Sequence, residues 1–123
     1  MKFTLKKAFI KEWKEKGIKF WIYSSKDDLK SASGVYIETV KGGRHGKVKT
    51  SLSDRTYFVI DGEGEFVIGG KKFMARKGDV VIIPKNTIYD YKVVKGKLKL
   101  FLVHTPAYDG DYEVRYEERA GEE

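Results

Sequence analysis

The chain has 123 residues, 41% hydrophobic and 35% charged, which suits one domain with its own core and excludes a disordered or membrane-embedded chain. It contains no cysteine, so disulfides, thiol catalysis and cysteine metal sites are excluded, and no apolar run approaches the roughly 18 residues of a membrane span. The formal net charge of +7 is uneven: residues 109–123 hold seven acids and two bases, and residues 1–108 hold 23 bases and 11 acids. Leu5, Phe9 and Trp13 then recur every four residues, and Gly17 stands where a C-cap glycine would. Residues 1–17 therefore read as a short helix, or equally as a strand followed by a short helix. From 18 onward the chain reads as strands: 18–23, 35–40, 46–52, 55–60, 65–68, 72–75, 79–83, 88–94 and 97–103. The polar stretch SSKDDLKSASG forms a loop after the first. Gly42-Gly43, Gly62 and Gly64, Gly69-Gly70, Gly78 and Gly96 mark turns. Short strands of even spacing broken by glycine predict an all-β sandwich or barrel.

Alternation assigns the faces. Lys97 and Lys99 must face water, so Leu98, Leu100, Leu102 and His104 share the inner face. Lys47 and Lys49 likewise turn Val48, Thr50 and Leu52 inward. Arg55, Tyr57 and Val59 form one face of their strand, Thr56, Phe58 and Ile60 the other. Tyr89, Tyr91 and Val93 share a face, with Asp90 opposite.

The segment TYFVIDGEGEFVIGGKKFMARKGDVVIIPKNTIYDYKV resembles the cupin family, which carries a YVLEGEGE-like strand and turn, a hairpin and then a G-D-x-x-x-x-P-x-G/N-x-x-H element. Tyr57 to Glu65 and Gly78 to Tyr89 match in order and spacing, and LFLVHTPAYD resembles the closing strand of small cupins. The resemblance covers roughly residues 34–109. It implies a double-stranded β-helix, the jelly-roll barrel, with residues 1–33 packing on that barrel or at a dimer interface and 110–123 forming an acidic tail. Most cupins hold a metal with an H-x-H pair, a Glu and a later His. Those positions fall here on Val48 and Thr50 (Lys49 and Ser51 if the gap is one shorter), Arg55 and Tyr89. Arg has no acceptor lone pair. The resemblance thus implies a cupin whose metal site has been replaced, and no metal or cofactor is expected.

Arg55 is the most informative candidate. It either grips a carboxylate or phosphate at the barrel mouth, or pairs with an internal acid such as Asp79, Asp90 or Glu38, or points to solvent; an inward guanidinium needs some anionic partner. Tyr57, Tyr89 and Tyr91, with Thr50, read as pocket walls for a sugar ring or aromatic acid, or as core filling the space a metal left. His104 reads as an inward, hydrogen-bonded residue. His45, in the glycine-flanked loop GGRHGK, reads as exposed. Lys41, Arg44, Lys47 and Lys49 form a basic run lacking the phosphate-loop spacing, and without a recognition motif nucleic acid is not an expected partner.

The function these residues favour is a metal-independent binding module for a small anionic or sugar-like ligand through Arg55, Tyr57, Tyr89, Tyr91, Thr50 and His104. Two alternatives stand beside it: a metal-free sugar isomerase or epimerase using Tyr and His acid–base groups, and a structural or oligomerisation role with a filled barrel. A homodimer is expected, because Trp13, Phe20 and Trp21 lie outside the resemblance and strand 18–23 offers an open edge. The N-terminus lacks an apolar signal region, so a cytoplasmic location without a membrane partner is expected. One Asn (Asn86), no Gln and 20 Lys with 10 Glu point to a thermophilic source.

Overall fold

The computed structural model describes residues 1–116. Nine strands form one antiparallel sheet that curls into a barrel: β1 (Phe9–Trp13), β2 (Ile18–Ile22), β3 (Ser33–Thr39), β4 (Lys47–Thr50), β5 (Asp54–Ile68), β6 (Lys71–Arg76), β7 (Val80–Ile83), β8 (Tyr89–Thr105) and β9 (Glu113–Tyr116). The order is β1-β2-β3-β8-β4-β9, with β5 pairing β6, β7 and β8. This is the expected all-β jelly-roll barrel. No helix of the described residues is long and apolar enough to cross a membrane.

The N-terminal helix does not form. A 3-10 turn (Leu5–Lys7) precedes β1, and a second (Lys14–Lys16), closed by Gly17 at a φ of 69°, leads into β2. The strand-then-short-helix alternative is the one realised. Leu5 and Phe9 stay exposed, so a helix here would bury no apolar face, whereas β1 as a strand pairs with β2 from Phe9↔Ile22 to Trp13↔Ile18.

Two pairs of expected strands fuse. Residues 54–68 are one strand and 89–105 another, paired along nearly their whole length from Asp54↔Thr105 to Ile68↔Tyr89. The DGEGE glycines bend a strand instead of reversing it. Register shifts between Val59 and Gly64 turn the corner, as β-bulges do. Gly62 sits there at a φ of 82°, and a Cβ on it would stand 2.9 Å from Cα of Leu98. Because β5 and β8 are both bent, their halves lie on opposite walls of the barrel.

Side-chain alternation follows the expected faces. Arg55, Tyr57 and Val59 are buried while Phe58 and Ile60 are exposed; Leu98, Leu100, Leu102 and His104 are buried in a row. With Ile37, Val48, Phe66, Tyr89 and Tyr91, the apolar members Tyr57, Val59, Leu98, Leu100 and Leu102 make a continuous core, each large apolar side chain contributing roughly 1.5–3 kcal/mol. β1, β2 and β9 come from outside residues 34–109 and join the same sheet. β9 pairs with β4 from Lys47↔Tyr116 to Thr50↔Glu113, so the acidic tail begins as a barrel strand; its residues 117–123 lie outside the described residues.

Candidate functional site

The inner faces of β3, β5 and β8 do not fill the barrel. A cavity of about 460 Å³ remains, within the size range of small-molecule sites. The filled-barrel alternative therefore does not describe this interior. Arg55, Tyr57, Tyr89 and His104 line the cavity, joined by His45 and Glu113.

Arg55 is 3% exposed. Its Nε donates to Nε2 of His104 (3.1 Å), its NH2 donates to Oε1 of Glu113 (2.7 Å), and its guanidinium carbon lies 5.3 Å from the Tyr89 ring centroid. The need for an anionic partner is met, but by Glu113, from the segment read as an acidic tail. The three acids considered from the sequence are engaged elsewhere. Asp79 accepts from the Arg76 amide, Asp90 pairs with Arg44, and Glu38 accepts from Tyr36 and Lys97. Glu113 also accepts from the Tyr108 hydroxyl (3.2 Å), and burial together with Glu113 pushes the Tyr108 phenol up to about 12.

Tyr57 and Tyr89 join hydroxyl to hydroxyl at 2.6 Å. Whichever donates, the other keeps a proton free for a ligand. Burial raises both phenols above their ordinary value, so both stay neutral donors. His104 accepts from Arg55 at Nε2 and so carries its proton on Nδ1, which is buried without a partner among the described residues. Burial, with Arg55 and His45, drives its pKa down to about 3.

His45 is not exposed; it is 7% accessible, with its ring stacked beside Tyr89 (5.3 Å) and Tyr91 (5.2 Å). The cause is a clasp between its loop and β8. Asp90 accepts from Arg44 Nε (2.7 Å) and the Gly46 amide (2.7 Å), and the His45 amide donates to the Tyr91 carbonyl (2.9 Å). Arg44 of the basic run thus serves this clasp. Alternation had placed Asp90 on the outer face; its burial there, visible only in the structure, is what demands a basic partner from the neighbouring loop. Nδ1 of His45 lies 2.9 Å from the Gly46 carbonyl, which can only accept, so Nδ1 carries the proton and Nε2 is left as an acceptor. Burial dominates in lowering its pKa to about 3; the Gly46 carbonyl opposes this, and Arg115 and Arg55 add to it.

Two sequence candidates lie off the cavity. Tyr91 is fully buried behind His45, its hydroxyl 2.9 Å from that of Thr39 and its ring against Phe66. The Thr50 hydroxyl accepts from the Leu52 amide (3.3 Å), a local turn bond under β9. Both point inward as alternation requires, but the inner face is longer than the cavity is deep. Trp13 and Phe20, expected at an exposed interface, line the cavity instead. Trp21 lies on the outer face against Tyr36 (5.2 Å). Sequence reasoning missed Glu113, Tyr108 and Arg115, which follow the last recognisable strand and carry no periodic signal. Among the described residues no three His, Cys, Asp or Glu side chains converge to hold a metal ion.

The fold is similar to that of Pac13 from Streptomyces, named a unique nucleoside dehydratase, at 24% identity over 98% of this chain and 96% of that one, with a TM-score of 0.78. Structures of that protein with a His→Gln or a Tyr→Phe replacement are with uridine. KdgF from Halomonas sp. is 16% identical over 90% of this chain and 97% of that one (TM-score 0.79), and a predicted oxalate decarboxylase from Thermotoga maritima is 17% identical over 86% and 99% (TM-score 0.77). No curated protein matches the sequence. The Cupin domain family model matches residues 36–105, more than half of the chain, and with this barrel around it the protein belongs to the cupin family.

Proposed function

We propose that the barrel is a metal-independent cupin pocket that binds a small sugar- or nucleoside-like molecule. The observation that carries this is the neutral His45. Its Nδ1 is tied to the Gly46 carbonyl and its Nε2 is left as an acceptor on a ring lining the cavity, beside a Tyr57–Tyr89 pair with a hydroxyl proton to spare. An acceptor, a donor and stacked aromatic faces amid apolar walls suit a ligand that is part ring and part hydroxyl or amide. The likeness to a nucleoside dehydratase solved with uridine supports the ligand class. Arg55 is not the group that selects charge here, because Glu113 already neutralises it.

A second reading, a metal-free isomerase, epimerase or dehydratase, draws on the same His and Tyr groups. Against it stands the His45 pKa near 3, far from the operating pH that an efficient general base matches. Binding therefore ranks first. Isothermal titration of chelator-treated protein with uridine and a panel of pyranoses and pyranuronates tests the proposal. At least one of them is expected to bind, and His45→Gln is expected to weaken that binding by about tenfold, the worth of one charge-neutral hydrogen bond in a dry site. No binding by any of the panel, or binding that appears only after a divalent metal is added, would refute it.

A further inference from the structure

Two cations share the Trp13 ring at the edge of this site: Arg115, which lines the cavity, and Lys16, which lies beside that lining. Trp13 of β1 and Arg115 of β9 line the cavity together with Lys11, and Lys16, outside that lining, follows in the 3-10 turn after β1. The Arg115 guanidinium carbon lies 4.1 Å from the Trp13 ring centroid, and the Lys16 ammonium 5.2 Å. Both chains also close on the same point of the loop that carries His45. Position 46 is a glycine at a φ of 92°, where a Cβ would stand 3.0 Å from Lys16 Nζ and 3.5 Å from Arg115 NH1. Any side chain there would crowd the two cations. Both are only partly exposed, and neither forms an ion pair among the described residues. Arg115 donates from NH1 to the His45 carbonyl at 3.5 Å, a long bond that leaves the rest of its fork of donors unused among the described residues.

The nearby acids do not cancel this charge. Glu113 is engaged by Arg55 and Tyr108. Glu12 of β1 also lines the cavity, but it stands opposite Lys19 across the hairpin and forms no ion pair with Lys16 or Arg115 among the described residues. Two like charges converging beside a ring face repel each other. The ring offsets part of that cost and an anion between them would remove it. A tetrahedral oxyanion accepts from an ammonium on one side and a guanidinium on the other at about 2.8 Å each, whereas a flat carboxylate is satisfied by a single arginine fork.

We infer that Lys16 and Arg115, held over Trp13 beside the cavity, form a phosphate subsite, so that the ligand of this pocket is a phosphate monoester whose ring portion enters the cavity. This deepens the proposed reading of the cavity as a sugar- or nucleoside-binding pocket and rests on it. The anion-binding role expected of Arg55 is thereby carried by residues at the edge of the site that the strand pattern did not single out.

The test compares uridine with uridine 5′-monophosphate by titration calorimetry, on the wild-type protein, a Lys16→Ala/Arg115→Gln variant and a Lys72→Ala control on β6. The monophosphate is expected to bind at least about tenfold tighter than uridine, from two charge-assisted bonds. That ratio should fall to near one in the double variant and persist in the control. Inorganic phosphate is the second probe, read from Trp13 emission in a Trp21→Phe background. A saturable change that the double variant abolishes supports the subsite. Equal affinity for the two uridine compounds, a ratio lost equally in the control, or a Trp13 signal indifferent to phosphate would overturn it. If neither uridine compound binds, the pocket reading loses its nucleoside form, and the subsite stands or falls on the inorganic phosphate response alone.

Discussion

Glu113 and Arg55 form an ion pair whose two ends differ in depth, and that difference sets an asymmetric response to mutation. The guanidinium side chain is 4% exposed and the carboxylate side chain 16%. At an effective dielectric near 20, opposite charges about 4 Å apart attract by roughly 4 kcal/mol, a gain spent largely on desolvation. Glu113→Ala leaves Arg55 sealed inside with only His104 and the Tyr89 ring for company. Stranding a buried charge costs about 3–5 kcal/mol, and a carboxylate at the rim, where water reaches, places this case near the lower end. Arg55→Met leaves the acid stranded instead, but Glu113 turns to solvent, so the loss is about 1 kcal/mol. Arg55→Met with Glu113→Leu replaces the pair by apolar side chains and should lie within about 1 kcal/mol of wild type. Urea unfolding at pH 7 measures all three, and Glu113→Ala should also lower the melting temperature by roughly 10 °C. A Glu113→Ala loss below about 0.5 kcal/mol, or an Arg55→Met loss as large as that of Glu113→Ala, would show that β9 does not seal the guanidinium.

His45 and His104 both titrate near 3 in the folded protein and near 6.5 when unfolded. The unfolded chain therefore binds more protons between those values, and stability complete above about pH 6.5 falls as the pH drops, by up to about 1.4 kcal/mol per pH unit for each histidine. Urea unfolding at pH 7, 6 and 5 checks this, and His104→Gln should halve the slope; a flat profile would contradict the buried neutral rings. Asp90→Ala removes the acceptor for Arg44 and the Gly46 amide and should cost about 2–3 kcal/mol while exposing His45, visible as a histidine ring titrating near 6.5 by NMR. Light scattering at micromolar concentration is expected to give the mass of two chains, with the exposed edge of β1 and the outer aromatic face around Trp21 and Tyr36 as the paired surface; one chain's mass, unchanged with concentration, would exclude the dimer.

Much of the fold was legible in the sequence because the information is local. A period of two, set by which side chains tolerate water, placed Arg55, Tyr57, Tyr89 and His104 on inner faces. Glycine positions and the resemblance then located the barrel. The same local rule is silent on depth. It could not separate Tyr57 and Tyr89, on the cavity wall, from Tyr91 and Thr50, which satisfy the same alternation against packed core and a turn.

Composition and alternation by themselves determined a cysteine-free, all-β domain with Arg55 and several tyrosines on inner faces, and the cupin resemblance added the barrel and the replacement of the usual metal-ligand positions. The tertiary structure decided the chemistry of that interior. Glu113 reaches Arg55 across 58 residues and Arg115 reaches the His45 carbonyl across 70, both from a short terminal strand whose acids and bases look solvated in isolation. His45 enters the wall only because Asp90, 45 residues away, clasps the two residues on either side of it. Charge pairing over such distances depends on where bent strands bring their ends, and a one-dimensional pattern records the need for a partner without recording which partner the fold supplies.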